Sequence, residues 1–212
     1  MARGLELRDV VIRKGGQVLV QMNTLIGPGE VLSIMGPSGS GKSTLLALIT
    51  GNLAPDFQAT GEVWLDGNDI SKLPTHQRRA GILFQDDLLF PHLSVGANLA
   101  FGLRSGGTTG ERAERVNEAL REVELDGYQD RDPATLSGGQ KARVALMRML
   151  LAEPCALLLD EAFSRLDADL RLQVRDLVFE RALVRDLPVI MVTHDIEDAR
   201  AAGGKICNIG AR

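Results

Sequence analysis

Residues 36–44, with the sequence GPSGSGKST, combine glycines, hydroxyl side chains and one lysine. The stretch fits the spacing G-x-x-x-x-G-K-[S/T] and lies between an apolar run typical of a strand and a run typical of a helix. Glycines let backbone N–H groups turn toward a phosphate, and the N-terminus of the following helix adds partial positive charge. The alternatives are a flexible Gly/Ser linker or a simple helix start, and the match to the full motif between a strand and a helix favours phosphate binding over both. We therefore predict a phosphate-binding loop made of Gly36, Pro37, Ser38, Gly39, Ser40, Gly41, Lys42, Ser43 and Thr44.

The lysine and the serine that end this motif have separate expected roles. Lys42 is expected to reach the β- and γ-phosphates of a nucleotide, and Ser43 to bind Mg²⁺.

Two carboxylates follow a second apolar run, CALLLDE at residues 155–161. We expect Asp160 to lie beside the phosphate-binding loop and to bind the Mg²⁺ shell through water. Glu161 is expected to polarise the attacking water as a general base. A strand that simply ends in a charged turn is the alternative, and the presence of a phosphate-binding loop favours the functional interpretation.

The stretch LSGGQ, residues 136–140, is a second candidate for phosphate binding. Ser137 can cap a helix, while Gly138 and Gly139 expose backbone N–H groups at its N-terminus. An ordinary capped helix has the same features, so the motif alone is moderate evidence.

Apolar runs typical of buried strands alternate with helical patterns, which predicts an α/β fold with a parallel sheet. Two β-like runs occupy residues 5–26, and the Gly-rich and charged region 86–135 is predicted to be an inserted helical subdomain. The remaining strands are expected at residues 31–35, 61–67, 80–85, 155–160 and 188–194, and helices at 42–50, about 138–152 and about 168–186.

Composition excludes several classes of protein. The net charge of −4, the pI of about 5.5 and the absence of a long basic run disfavour an electrostatic nucleic-acid binder. Two cysteines are too few for a disulfide framework. With no signal-peptide pattern and no apolar window long enough for a membrane span, we expect a cytoplasmic protein whose membrane role depends on a partner.

The motifs GPSGSGKST, LSGGQ, LLLDE and VTHD occur in this order, with Gln85 after a strand pattern. Together they resemble the ATP-binding subunit of an ABC transporter, over nearly the whole chain. The resemblance implies one ABC ATPase domain, 1–212. Its RecA-like P-loop NTPase core and small antiparallel β subdomain comprise 1–85 and 154–212, and its helical signature subdomain about 86–153.

The resemblance also implies that two copies of the chain sandwich two ATP molecules. Each ATP lies between the phosphate-binding loop of one copy and LSGGQ of the other. This places Ser137, Gly138, Gly139 and Gln140 on the nucleotide and, with Asp167 of the stretch SRLD, at the dimer interface.

Two further roles come from the resemblance. Gln85 is expected to contact Mg²⁺ and ATP and to couple the site to a membrane subunit. His194 of VTHD is expected to contact the γ-phosphate and support the attacking water, so the implied catalytic residues are Lys42, Glu161 and His194.

Residues 81–103 resemble the importer-type form of the family, in which this region forms part of a groove for a permease helix. Leu88, Leu89, Phe90 and Leu93 supply apolar area for such a groove. A small core beneath the helical subdomain is the alternative. The importer form implies an integral-membrane permease, a solute-binding protein acting through it, and a location on the inner face of the cell membrane, with no nucleic-acid partner.

Two positions depart from the family pattern. No aromatic residue precedes Phe57, although the family usually stacks an aromatic side chain on adenine. Arg13 either stacks its guanidinium on the base or is simply solvated. Ala162 stands where proline usually follows the glutamate, so the turn there is expected to be less rigid.

The expected function is therefore ATP hydrolysis that drives uptake of a small polar solute, an ion or a vitamin. One alternative is a non-transport ABC-type ATPase acting on nucleic acid or ribosomes, but the chain has no tandem cassette, long coiled-coil insertion or basic patch. The other is a different P-loop class, in which LSGGQ and His194 have no role. A GTPase is further disfavoured because the N-K-x-D motif is absent.

Overall fold

The computed structural model describes residues 3–210. The chain divides into two compact units. The first comprises Met1–Ile82, Cys155–Glu161 and Phe179–Arg212, and the second comprises Leu83–Pro154 and Ala162–Val178.

Strands and helices alternate along most of the described chain. The strands are β1 (Leu5–Lys14), β2 (Gln17–Ile26), β3 (Val31–Met35), β4 (Phe57–Leu65), β5 (Asn68–Asp69), β6 (Ala80–Phe84), β7 (Ala156–Asp160), β8 (Val189–Val192) and β9 (Lys205–Asn208). The helices are α1 (Lys42–Thr50), α2 (Val95–Gly102), α3 (Thr109–Glu122), α4 (Gly138–Leu151), α5 (Ala168–Val184) and α6 (Ile196–Ala201).

A five-stranded sheet in the order β6-β7-β8-β3-β9 forms the centre of the fold. β3 pairs in parallel with β8 and β9, and β7 pairs in parallel with β8. Ile34, Leu158 and Ile190 on three neighbouring strands are fully buried in its core. The carboxyl ends of parallel strands meet at one edge of a sheet, so the residues that follow β3, β7 and β8 are brought together. The predicted α/β fold is confirmed.

An antiparallel sheet in the order β2-β1-β4-β5 belongs to the first unit. The register of β1 shifts near Asp9 in its pairing with both β2 and β4, and Asp9 has φ 46°. A Cβ on Gly61 would lie 2.4 Å from the carbonyl oxygen of Asp9, so glycine is required opposite this bulge. Leu5 and Leu7 before this bulge, and Val10 and Ile12 after it, are fully buried, because the extra residue shifts the alternation by one position.

The second unit is mainly helical. α3 begins with a capping box, in which Thr108 accepts a hydrogen bond from the Glu111 backbone and Glu111 accepts one from the Thr108 backbone. α2 approaches α4 closely, because a Cβ on Gly102 would lie 2.0 Å from the carbonyl oxygen of Arg148. Glycine at 102 therefore permits this helix packing.

Some element boundaries differ from the sequence expectations. The strand expected at 61–67 begins earlier, at Phe57, because β4 pairs with β1 as far as Phe57 opposite Lys14. The helix expected at about 168–186 ends at Val184, before Asp186, which has φ 51°. A left-handed backbone cannot continue a right-handed helix.

Two of the glycines that lie in helices, Gly102 and Gly110, provide a test of this packing. We expect Gly102→Ala to lower the free energy of unfolding by about 1–3 kcal/mol, because the new methyl group overlaps a backbone carbonyl that cannot rotate away. The nearest neighbour of a Cβ on Gly110 is 4.0 Å away, so Gly110→Ala is expected to raise stability slightly through helix propensity. Urea unfolding of both variants measures the difference, and equal values would show that α2 and α4 are not closely packed.

Candidate active site

The loop between β3 and α1 is shaped by the glycines that the sequence singled out. Gly36, Gly39 and Gly41 have φ values of 156°, 80° and 94°. A Cβ on Gly41 would lie 2.8 Å from Val20, whereas one on Gly39 would meet nothing within 4 Å. Gly39 therefore faces open space with a backbone conformation that suits glycine. The Ser40 hydroxyl oxygen is buried without a hydrogen-bond partner among the residues described, which fits a loop shaped to receive a polar ligand.

Lys42 lies inside this loop and is only 7% exposed. Its Nζ donates hydrogen bonds to the carbonyl oxygens of Gly36, at 2.8 Å, and Pro37, at 2.9 Å. An ammonium group has three donors, so these two bonds leave one for a ligand. The loop is thus closed around the lysine that is predicted to bind phosphate.

Ser43 and Asp160 lie next to each other across the sheet edge. The Ser43 hydroxyl donates a hydrogen bond to Asp160 Oδ1 at 2.9 Å. The pKa of the Asp160 carboxyl is raised, chiefly because the group is buried. The hydrogen bond from Ser43 and the charge of Lys42 act to lower this pKa, and the charge of Glu161 acts to raise it further.

These two side chains fit the ligand preference of Mg²⁺. Mg²⁺ is usually bound by one or two protein oxygens together with substrate phosphates and water. Among residues 3–210 no cluster of three or more His, Cys, Asp or Glu side chains could hold a metal ion by itself. A hydroxyl and a carboxylate beside a phosphate-binding loop therefore suit a metal shared with a nucleotide.

Glu161 and His194 form a second pair at the same edge. His194 Nδ1 lies 3.3 Å from Glu161 Oε2. The Glu161 N–H donates a hydrogen bond to the Val192 carbonyl at 3.0 Å, which joins the ends of β7 and β8. Glu161 has φ 51°, a strained conformation of the kind that clusters at functional sites. Lys42, Ser43, Asp160, Glu161 and His194 are all residues of the first unit.

The LSGGQ stretch forms the N-terminus of α4 in the second unit. Ser137 and Gln140 cap each other: the Gln140 N–H donates to Ser137 Oγ at 3.3 Å, and the Ser137 N–H donates to Gln140 Oε1 at 3.0 Å. A Cβ on Gly139 would lie 2.2 Å from Leu170, whereas one on Gly138 would meet nothing within 4 Å. Packing against Leu170 therefore explains why position 139 needs glycine, whereas no contact within the chain requires glycine at position 138.

The other predicted site residues of the second unit lie in exposed positions. Gln85 follows β6 and is exposed. Asp167 is also exposed and caps α5, where its Oδ1 accepts a hydrogen bond from the Leu170 N–H at 3.0 Å. In the adjoining loop Arg165 forms an ion pair with Asp86.

The residues expected near the nucleotide base lie at the end of β1. Arg13 is half-buried and pairs with Val18 and Gln58 in the antiparallel sheet. Lys14 Nζ lies 4.9 Å from the centre of the Phe57 ring. The base contact assigned to Arg13 stays a prediction.

The sequence interpretation missed three polar side chains that bind backbone groups, of which Arg78 and Asn98 are buried and Arg148 is half-buried. Arg78 donates hydrogen bonds to four backbone carbonyls, including those of Leu48 and Ile49 at the end of α1. Asn98 is fully buried and bonds the loop before α2. Arg148 reaches the same loop from α4. The polar Asn98 within an otherwise apolar helix pattern was the one available signal for this group.

Residues 19–164 match the protein family described as ABC transporter. The chain belongs to this family. It is an ATP-binding subunit that binds and hydrolyses ATP, and the alternative of a non-transport ATPase is not favoured.

Similar proteins in the family include several ATP-binding subunits. The ABC transporter ATP-binding protein YnjD of Escherichia coli K12 is 50% identical, with 87% of this chain and 85% of that protein covered. The thiamine import ATP-binding protein ThiQ of Jannaschia sp. is 44% identical, with coverage of 92% and 84%. The Fe(3+) ions import protein FbpC of Escherichia coli K12 is 39% identical, with coverage of 95% and 58%.

Solved structures agree with the ABC transporter fold. The dimeric structure of MJ0796, a bacterial ABC transporter cassette, has a TM-score of 0.78 and 33% identity, with 97% of this chain and 94% of that chain covered. The same cassette in a post-hydrolysis state bound to ADP and Pi also has a TM-score of 0.78. In the part of the chain that the structure describes, no helix is both long and apolar enough to span a bilayer.

The raised pKa of Asp160 leads to a prediction about stability. A carboxyl whose folded-state pKa lies above its unfolded value destabilises the fold increasingly as pH rises above about 4. We therefore expect nucleotide-free Asp160→Asn to be more stable than the native chain at pH 7, with a difference that shrinks toward pH 4. ATPase activity with Mg²⁺ should fall about 10–100-fold, because Asp160 is expected to bind the Mg²⁺ shell through water.

Thermal unfolding between pH 4 and 7, together with an ATPase assay, measures both effects. Asp126→Asn at an exposed position is the matched control and should change neither. A variant that loses stability at pH 7 would contradict the assigned effect of burial.

Proposed function

We propose that this ABC subunit drives uptake of a small solute through a membrane permease, with ATP hydrolysis catalysed by Glu161. The observation that carries the catalytic assignment is the position of the Glu161–His194 pair beside the Ser43–Asp160 pair at one sheet edge. Import is supported by relatives whose names specify thiamine, Fe(3+), sulfate/thiosulfate and spermidine/putrescine import.

In the proposed reaction each side chain has a distinct task. The loop N–H groups and Lys42 bind the phosphates, and Ser43 and Asp160 hold Mg²⁺, which neutralises phosphate charge when bound. Glu161 accepts the proton of the attacking water as the water oxygen bonds to the γ-phosphorus, and the bond from that phosphorus to the β–γ bridging oxygen breaks, so that ADP leaves. His194, held near Glu161 Oε2, orients the water and contacts the γ-phosphate. Gln85 is assigned to the sensing of Mg²⁺ and ATP.

We assign the LSGGQ stretch, the second candidate for phosphate binding, to the nucleotide held by another copy of the chain. Ser137 and Gln140 already satisfy each other, and the open space at Gly138 leaves room for a phosphate at the N-terminus of α4. Asp167 is exposed at the loop assigned to the same interface. A related cassette that forms a dimer supports this ATP sandwich.

We assign the apolar surface around the loop that precedes α2 as the docking site of the permease. Phe84, Leu88 and Phe101 have exposed fractions of 44%, 57% and 68%. Leu89, Phe90 and Leu93 are partly buried, which supports the interpretation of this region as one wall of a groove. We further propose that a solute-binding protein delivers solute to the permease. The ATP-binding subunit is proposed to lie on the inner face of the membrane.

The catalytic assignment is tested by Glu161→Gln. This change keeps the size of the side chain but removes the base, so turnover should fall roughly 10²-fold or more. ATP affinity should be retained, and Mg-ATP should produce a persistent dimer in analytical ultracentrifugation. Lys42→Ala is the contrasting variant: it should lose ATP affinity and fail to dimerise, because a charge-assisted phosphate contact is gone. Native turnover in Glu161→Gln would remove this residue from the mechanism.

The transport assignment is tested by copurification from native membranes. We expect the tagged subunit, extracted in mild detergent, to retain a polytopic membrane protein identifiable by mass spectrometry. Leu88→Asp should reduce its recovery about tenfold or more, because burying an unpaired carboxylate in an apolar contact is unfavourable. Recovery of ribosomes or nucleic acid instead would support the non-transport alternative.

A further inference from the structure

Arg148, near the C-terminal end of α4, binds the loop that carries the exposed Leu88. Its Nη1 donates a hydrogen bond to the Leu88 carbonyl at 2.9 Å, and its Nη2 donates to the Asp87 carbonyl at 3.2 Å. The guanidinium carbon lies 5.2 Å from the centre of the Phe90 ring. A single side chain of α4 therefore binds two consecutive peptide units of the loop. Only a planar guanidinium, with its donors in a fixed fork, can make this pair of contacts in one geometry.

Leu88 has an unusual conformation that needs such a restraint. Its φ is 46°, although it is not glycine, and its side chain is 57% exposed. A strained backbone of this kind persists only where its surroundings hold it. The bond from Arg148 fixes the Leu88 carbonyl while the apolar side chain stays in solvent. Lys141, also on α4, joins Arg148 in placing positive charge near the Asp87 carboxyl.

The following part of the loop is held by a different side chain. Asn98 of α2 accepts a hydrogen bond from the Phe90 N–H at 2.8 Å and donates to the carbonyls of Phe90, at 3.1 Å, and Leu93, at 3.2 Å. Asn98 is fully buried. The loop is therefore attached to α2 from Phe90 onward and to α4 at residues 87–88.

Arg148 also lies at a close approach of α2 to α4. Its own carbonyl oxygen would be only 2.0 Å from a Cβ on Gly102 of α2. From this point α4 extends back to Gly138, a distance of about 15 Å at the usual rise of an α-helix. The loop and the LSGGQ stretch are thus joined by the continuous helix that runs from position 138 to position 148.

We propose that Arg148 is a positioning residue that makes the loop at 87–88 and helix α4 move together. Engagement of the α4 N-terminus by the ATP of a second copy then restrains Leu88, and docking of a permease at Leu88 acts on the α4 N-terminus. This inference rests on the proposed ATP sandwich. Arg148 itself touches neither ATP nor the attacking water in this assignment.

Native-state proteolysis tests the linkage in the Glu161→Gln chain. Chymotrypsin cleaves after leucine and phenylalanine, and cleavage at Leu88 or Phe90 reports local opening of the loop. We expect Arg148→Ala to speed this cleavage about tenfold without nucleotide, because the two bonds to the loop carbonyls and a longer one to Asn98 Oδ1 at 3.4 Å are lost. Mg-ATP should slow the cleavage in the parent chain but not in Arg148→Ala.

Two further variants make the test specific. Arg148→Lys keeps the charge without the fork and should give an intermediate rate, and it carries the test if Arg148→Ala does not fold. Arg143→Ala is the matched control on the same helix, because Arg143 bonds the Val123 carbonyl at 3.1 Å and not the loop. It should leave cleavage at Leu88 and its response to Mg-ATP unchanged.

The outcomes separate this inference from the proposed sandwich. A native cleavage rate in nucleotide-free Arg148→Ala overturns the positioning role, and so does an undiminished Mg-ATP effect in that variant. If ultracentrifugation shows no ATP-dependent dimer of Glu161→Gln, the sandwich fails, and the nucleotide-free comparison alone then decides whether Arg148 holds the loop. A faster cleavage in Arg148→Ala, with Arg143→Ala unchanged, supports it.

Discussion

The parallel pairing of β3, β7 and β8 is the constraint on which the candidate active site depends. Parallel strands must all end at the same edge, so residues more than a hundred positions apart in sequence are placed side by side there. Ser43 and Asp160 are 117 residues apart and still share a hydrogen bond. The antiparallel sheet contributes to this edge indirectly, since Val20 of β2 packs where a side chain on Gly41 would lie.

The sequence predicted this part of the molecule well because its signals are local. A phosphate-binding loop needs glycines at fixed spacing, and a buried parallel strand needs a continuous apolar run; both can be read without knowing any distant contact. The family resemblance then supplied roles for single residues such as Gln85 and His194, which no local pattern distinguishes from ordinary polar residues. Those individual roles stay predictions.

The sequence was much less informative about the loop before α2. Neither the left-handed backbone of Leu88 nor its attachment to Arg148 could be foreseen, because the two residues are 60 positions apart and the bond joins a side chain to a backbone carbonyl. Any residue offers such a carbonyl, so no pattern of residue types marks the partner. The boundary of β4 was missed for a similar reason: its first residues are strand because β1 lies opposite, and their own composition gives little indication of it.

The bonds from Lys42 to the carbonyls of Gly36 and Pro37 have a consequence for how a ligand enters. The loop is already folded around an internal cation, so binding does not have to order a flexible glycine-rich chain, and the associated loss of conformational entropy is small. The carbonyl oxygens also satisfy part of the ammonium's hydrogen-bonding capacity. A weakly charged anion therefore gains little by displacing them, whereas a polyphosphate offers several oxygens at once. Preorganisation of the loop by Lys42 thus favours ligands of high charge density over the simple anions that are abundant in any cell.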